Sequence, residues 1–194
     1  MIYLIRHGQT YANKEGVYLG RNESTLTELG KRQHKSVVEQ LYKKEIDRII
    51  SSPRERCVSL AEAIKSSKGI EGVVDEQIAE IDFGIFEGLT YKQAQEKYPM
   101  EWKKWVKSKN EYAFAEGESI SSFDSRVAEF SKYLVEFGEK ENIAVVTHGG
   151  VISSLICNML DLDEQCKWHF KVNNGSIIKI DVIDGFVYIV FNTC

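Results

Sequence analysis

Ile2-Tyr-Leu-Ile-Arg-His-Gly8 is the stretch that decides the fold. Four apolar residues followed at once by a polar, glycine-containing stretch read as a buried strand ending in a loop at the edge of a sheet. Arg6 and His7 cut the run off well short of a signal h-region or a membrane span. The same order recurs downstream, where Asn142-Ile-Ala-Val-Val-Thr147 leads directly into His148-Gly149-Gly150. A third run, Asp47-Arg-Ile-Ile50, is followed by Ser51-Ser52-Pro53, read as a turn and helix cap.

Helical spacing fills the intervals. Residues 7 to 26 read as a loop, and Thr27 caps a helix to about Lys43, with Leu29, Val37, Val38 and Leu41 at near-helical positions. Helices are also expected after Pro53 to about Ile64, from Ser119 to about Phe137, and from Val151 to Leu160. Strand-loop-helix units in succession imply parallel pairing. At the other end, Ile177 to Ile183 and Phe186 to Phe191 flank Asp184-Gly185, a strong hairpin signal. The fold class is therefore α/β: a three-layer sandwich with a mostly parallel central sheet, one antiparallel C-terminal hairpin at its edge, and a small helical cap. That cap is the interval from about 90 to 118, rich in charge and in aromatics such as Tyr98, Trp102 and Trp105. Residues 1–194 form one domain, with the cap as an insertion, because a chain of this length suffices for a single buried core.

Composition narrows the partners. The chain has 29 acidic and 25 basic residues, so its net charge of -4 offers no general attraction to nucleic acid or to an anionic membrane surface. An anionic ligand must be caught by local charge. Cys57, Cys157, Cys166 and Cys194 are scattered, without a Cys-x-x-Cys pair or a histidine at ligand spacing, which argues against zinc and reads as reduced thiols in a cytoplasmic protein.

Local charge is present where ligands bind in open α/β sheets, at the carboxyl ends of the strands. His7 and His148 occupy matching topological positions, each beside glycines that let a ligand approach the backbone. Arg6 shares the first loop, and Arg54 and Arg56 stand at the start of the helix after Pro53. A guanidinium matches phosphate oxygens bidentately, and a helix start adds free N–H groups. His34 and His169 fit no such pattern and read as structural or surface residues.

With these residues in place, the chain resembles the histidine phosphatase superfamily, the phosphoglycerate mutase-like proteins, over essentially its whole length. The resemblance rests on Arg6-His7-Gly8-Gln9-Thr10 with Asn13, Leu26-Thr27-Glu28-x-Gly30-x-x-Gln33, and Ser51-Ser52-Pro53-x-x-Arg56. It continues in Glu80-Ile-Asp-Phe-Gly84-x-x-Glu87-Gly88, Gly117-Glu118-Ser119 and Val146-Thr147-His148-Gly149-Gly150. It implies that His7 is a nucleophile forming a phosphohistidine, that Arg6, Arg56 and His148 hold the phosphoryl oxygens, and that Glu80 is the proton donor. Gln9, Thr10, Asn13, Gly20 and Gly149 would complete the substrate site, and Glu87 would brace the loop. No metal or other cofactor is expected, because a neutral imidazole and clustered positive donors supply the chemistry.

The implied activity is hydrolysis of a small phosphorylated metabolite, with a homodimer compatible with it. Two departures from the family pattern, Cys57-Val-Ser-Leu60-Ala61 after Arg56 and Ser153 where arginine is common, remove no catalytic group. Gly16-Val-Tyr-Leu-Gly20, Asp82 to Gly88, Tyr98-Pro99 to Trp105 and Gly117 to Ser119 look most like α-ribazole-5′-phosphate phosphatases of cobalamin nucleotide-loop assembly. The alternatives are a broad-specificity phosphatase, a phosphoglycerate mutase-type phosphotransferase, a zinc hydrolase and a non-catalytic phosphate-binding module.

Overall fold

The computed structural model describes residues 1–191. Its elements in chain order are β1 (Ile2–Arg6), α1 (Tyr11–Glu15), α2 (Glu28–Leu41), β2 (Arg48–Ser51), α3 (Glu55–Lys68), β3 (Gly72–Val74), α4 (Tyr91–Lys97), α5 (Pro99–Lys107), α6 (Ile120–Gly138), β4 (Ile143–Thr147), α7 (Gly149–Met159), β5 (Ile177–Ile183) and β6 (Phe186–Val190). Among the described residues the strands form one six-stranded sheet in the order β3-β2-β4-β1-β5-β6. The first four are parallel, and β5 and β6 join antiparallel.

Both faces of the sheet are covered, which explains why its central strands are unbroken apolar runs. Tyr3, Ile5, Ile49, Ala144 and Val146 pack under α2 and α3. On the opposite face Leu4, Ile50 and Val145 join a larger core with α6, α7 and aromatic residues from the 83–114 region. The interval from 90 to 118 contains α4 and α5, and Pro99 begins α5, where its missing N–H costs nothing. Among the described residues no helix is long and apolar enough to cross a membrane. Cys57, Cys157 and Cys166 are free, and Cys194 lies outside the described residues.

Several local expectations need correction. The stretch from 7 to 26 contains α1, because Thr10 and Asn13 form a reciprocal capping box and Gly16 ends the turn at φ 71°. The cap of α3 is Arg54, without a side-chain cap bond; Ser52 instead turns its hydroxyl to His148. Helix α7 starts at Gly149, immediately after the strand loop. Leu29 is exposed despite its helical spacing, and β3, too short and exposed for an apolar run, was not foreseen.

His34 is buried under Gly8 with its Nε2 unpartnered, and burial lowers its pKa to about 4. Between about pH 6.5 and 4 the unfolded chain therefore binds this proton more tightly, so stability is lost as the pH falls through that window. In urea titrations, His34→Leu should gain on the wild type progressively from pH 6.5 to 4. A constant difference across that range would show that His34 carries no such linkage.

Candidate active site

The register of the sheet makes the site. Arg6 is paired with Thr147 across β1 and β4, so the residues that follow, His7 and His148, leave the sheet side by side. Their ring centroids are 5.2 Å apart with the planes at 65°. Their backbones are tied by the His7 N–H, which donates to the Thr147 carbonyl at 3.2 Å.

His7 is 3% exposed and its Nδ1 lies 2.8 Å from the Gly8 carbonyl. A carbonyl can only accept, so Nδ1 carries the proton and Nε2 keeps its lone pair. Burial, followed by the charges of Arg56 and Arg6, holds the His7 pKa well below the usual histidine range. The imidazole is therefore a neutral base with one committed edge and one available nitrogen. His148 is depressed in the same direction, by burial first and then by Arg56 and His7. Its Nε2 is 2.6 Å from Ser52 Oγ, and Cys57 Sγ lies against the same ring.

The two arginines are held by backbone carbonyls. Arg6 Nη1 donates to Val172 O at 2.6 Å. Arg56, 2% exposed, donates to Gly20 O at 2.8 Å and to Asn22 O at 2.9 Å. In both residues Nε is buried and unpartnered, which leaves donor capacity for an anion where two guanidiniums already act on His7. The loop around Gly20 is fixed by Glu87, whose Oε1 accepts from the Gly20, Arg21 and Phe83 N–H groups and whose Oε2 accepts from Asn22. A side chain at position 20 would place Cβ 1.9 Å from the Ile81 carbonyl, so glycine is required by close approach.

The carboxylates divide by their commitments. Glu87 is occupied by the loop, and Asp82 is bound to Arg21 at 3.0 Å and to the Gly84 N–H at 3.0 Å. Glu80 accepts from fewer groups than Glu87, Ile81 N at 3.1 Å and Gly150 N at 3.3 Å, and has no ion-pair partner among the described residues. Burial pushes its pKa up, against the opposing pull of those N–H groups and of Arg56 and Arg6.

Glu80, Arg6, Gly149 and Gly150 form the floor of a cavity of about 430 Å³, with Tyr18, Phe83, Trp105, Phe123, Trp168 and Phe170 among its walls. Gly149 is a close-approach position, since a Cβ there would sit 3.2 Å from the Arg6 guanidinium carbon.

Not every residue expected at the site faces it. Thr10 is fully buried and its hydroxyl caps α1; Gln9 Oε1 accepts from Thr27 Oγ1 at 3.0 Å. Asn13 Oδ1 accepts from Thr10 N and from Asn174 Nδ2, each at 3.1 Å, and Asn13 lines a neighbouring pocket shared with Arg6. Arg54 reaches Arg21 O at 3.3 Å and Glu76 at 3.8 Å, yet its Nε is buried and unpartnered like those of Arg6 and Arg56, and its charge also acts on His148. Four contributors were not foreseen: Ser52 and Cys57 against His148, the Val172 carbonyl on Arg6, and Asn174, whose Nδ2 also reaches the His7 carbonyl at 3.3 Å. Asn173-Asn174-Gly175, a turn signal ahead of β5, was the cue to the last of these.

Fold and site thus define an α/β protein with paired imidazoles and two buried guanidiniums at the carboxyl ends of adjacent parallel strands. Residues 2–192 match the family model of the histidine phosphatase superfamily (branch 1). The chain is 31% identical over 175 residues to phosphoserine phosphatase 1 of Hydrogenobacter thermophilus, covering 90% of this chain and 83% of that one. To the adenosylcobalamin/alpha-ribazole phosphatase of Escherichia coli it is 29% identical over 185 residues, covering 95% and 91%. The crystal structure of the alpha-ribazole phosphatase from Shigella flexneri superposes with a TM-score of 0.89 at 27% identity, covering 97% of this chain and 94% of that one. The chain belongs to the histidine phosphatase superfamily, and it is a phosphatase.

Proposed function

We propose that the chain hydrolyses a small phosphate monoester without a metal ion, through a phosphorylated His7. His7 Nε2 attacks phosphorus as the ester P–O bond breaks, and Glu80 gives its proton to the departing oxygen. Water then attacks the phosphohistidine, Glu80 takes a proton from it, and inorganic phosphate leaves with the imidazole restored. Arg6, Arg56 and His148 hold the equatorial oxygens, where the charge spreads in the transition state. The observation that carries this reading is the pairing of the two imidazoles at 5.2 Å beside two buried guanidiniums.

The substrate is α-ribazole-5′-phosphate. Support comes from the cavity lined by Glu80 and Arg6, whose walls are largely apolar, with six aromatic rings beside Lys167 and Lys171, and offer a face to a flat, weakly polar leaving group. The names of the E. coli and Shigella flexneri relatives agree with it, and that of the Hydrogenobacter relative supplies the rival. With a chelator present, kcat/KM for α-ribazole-5′-phosphate should exceed that for phosphoserine, 3-phosphoglycerate and sugar phosphates by about tenfold or more, since a bulky apolar group contributes a few kcal/mol on burial. Faster turnover of phosphoserine would replace this substrate with the rival. Activity that disappears with chelator and returns with zinc would overturn the metal-free mechanism.

A further inference from the structure

One wall of the cavity is a segment that runs from Asp163 to Ser176, between α7 and β5. It begins with a 3₁₀ turn, Glu164–His169, and contributes Lys167, Trp168, Phe170, Lys171 and Val172 to the cavity. It also holds the phosphate side of the site. Val172 O accepts from Arg6, the Gly175 N–H lies 3.1 Å from both the Arg6 and His7 carbonyls, and Asn174 bonds His7 O and Asn13. One segment therefore shapes the leaving-group space and orients a phosphate ligand.

Its first part, ahead of those bonds to Arg6 and His7, is attached to α6 by a buried ion pair. Lys167 is 6% exposed and its ammonium binds Asp124 on α6, whose other oxygen accepts from Ser154 Oγ of α7 at 3.2 Å. Other ties of this part are weaker: the exposed Trp168 donates through Nε1 to Asn110 at 2.9 Å, and Ser153 Oγ reaches Phe170 O at 3.5 Å. A buried pair gains little net stability, because desolvation offsets the attraction, but it fixes geometry, since either charge left alone is costly. An apolar pair would hold the segment without fixing its register.

We infer that Lys167 and Asp124 are positioning residues, whose ion pair sets the register of the 163–176 segment and thereby the place of Arg6 and the width of the leaving-group cavity. This rests on the reading of that cavity as the substrate site. Neither residue touches the reacting atoms. The pair acts through the backbone that ends in the Val172 carbonyl.

The test compares the full-length wild type with Lys167→Met, Asp124→Asn, Lys167→Arg and the apolar double variant Lys167→Met/Asp124→Leu. It measures amide hydrogen exchange, inhibition by inorganic phosphate, and turnover of p-nitrophenyl phosphate. Each single neutral variant should speed exchange at residues 168–174 by about tenfold and weaken phosphate inhibition and kcat/KM by similar factors, without adding in the double variant, as expected of one coupled interaction. Lys167→Arg should recover part of each. The double variant leaves no unpaired buried charge, so it decides the matter should the singles not fold. Wild-type exchange and phosphate inhibition in the double variant would overturn the inference. So would a loss confined to Lys167→Met with Asp124→Asn unaffected, which would mean direct substrate contact by the lysine. Absence of phosphatase activity in the wild type would instead sink the proposed function, while exchange would still report on the ion pair.

Discussion

His7→Ala lowers turnover of any phosphate monoester by at least ~10⁴-fold, since no other side chain can replace a nucleophile positioned for in-line attack. The size follows from the ring's surroundings. Its proton is fixed on Nδ1 by the Gly8 carbonyl, its Nε2 is free, and burial beside two guanidiniums keeps it neutral across the physiological range. His148 cannot take over, because in the proposed mechanism its buried ring serves an equatorial oxygen and lies off the line of attack. The measurement is rapid acid and alkaline quench with ³²P-labelled substrate. Wild type should yield an acid-labile, alkali-stable phosphoenzyme at position 7, and the variant should yield none while retaining its circular dichroism spectrum. More than about 1% residual activity would remove His7 from the role of nucleophile, because a lost nucleophile costs several orders of magnitude.

What the sequence made legible was whatever depends on local pattern. Apolar runs ending in Arg6-His7-Gly8 and in His148-Gly149-Gly150 marked two strand ends, and the pairing of Arg6 with Thr147 then brought the rings together. Thr27, Ser119 and Asp184-Gly185 marked helix starts and a hairpin because caps and tight turns are read from a few adjacent residues. Contacts across long separations were not legible. Nothing near Val172 announces that its carbonyl will receive a guanidinium from position 6, and the Lys167–Asp124 pair joins residues 43 apart. The choice among Glu80, Asp82 and Glu87 shows the same boundary. Sequence alone left three neighbouring carboxylates, with only a resemblance to rank them, whereas the structure separates them by what each already binds. Thr10 illustrates the converse: its place in a motif suggested ligand binding, and its hydroxyl is used to start α1.

That separation of the carboxylates leads to the second large effect, at Glu80. Glu80→Gln keeps the shape and one acceptor oxygen, for either the Ile81 or the Gly150 N–H, but removes the transferable proton. An alkyl phosphate has a poor leaving group and needs that proton, so its kcat should fall ~10²–10⁴-fold, the usual contribution of a positioned acid. With p-nitrophenyl phosphate the leaving group departs unaided. The first step should survive while hydrolysis of the phosphohistidine, which needs Glu80 as base, slows. The variant should therefore release a burst of nitrophenol equal to the enzyme and then turn over slowly. The pH profile gives an independent check. Burial pushes the Glu80 pKa up, so the acid form that donates is present below that raised value and is lost as pH climbs through it. Wild-type kcat for an alkyl phosphate should accordingly decline on the alkaline side, and that decline should vanish in Glu80→Gln, because an amide does not titrate there. On the acid side both proteins should lose activity together as His7, whose pKa is depressed, finally takes a proton on Nε2. An alkyl phosphate hydrolysed by Glu80→Gln at the wild-type rate, with the alkaline limb intact, would move the acid to another group.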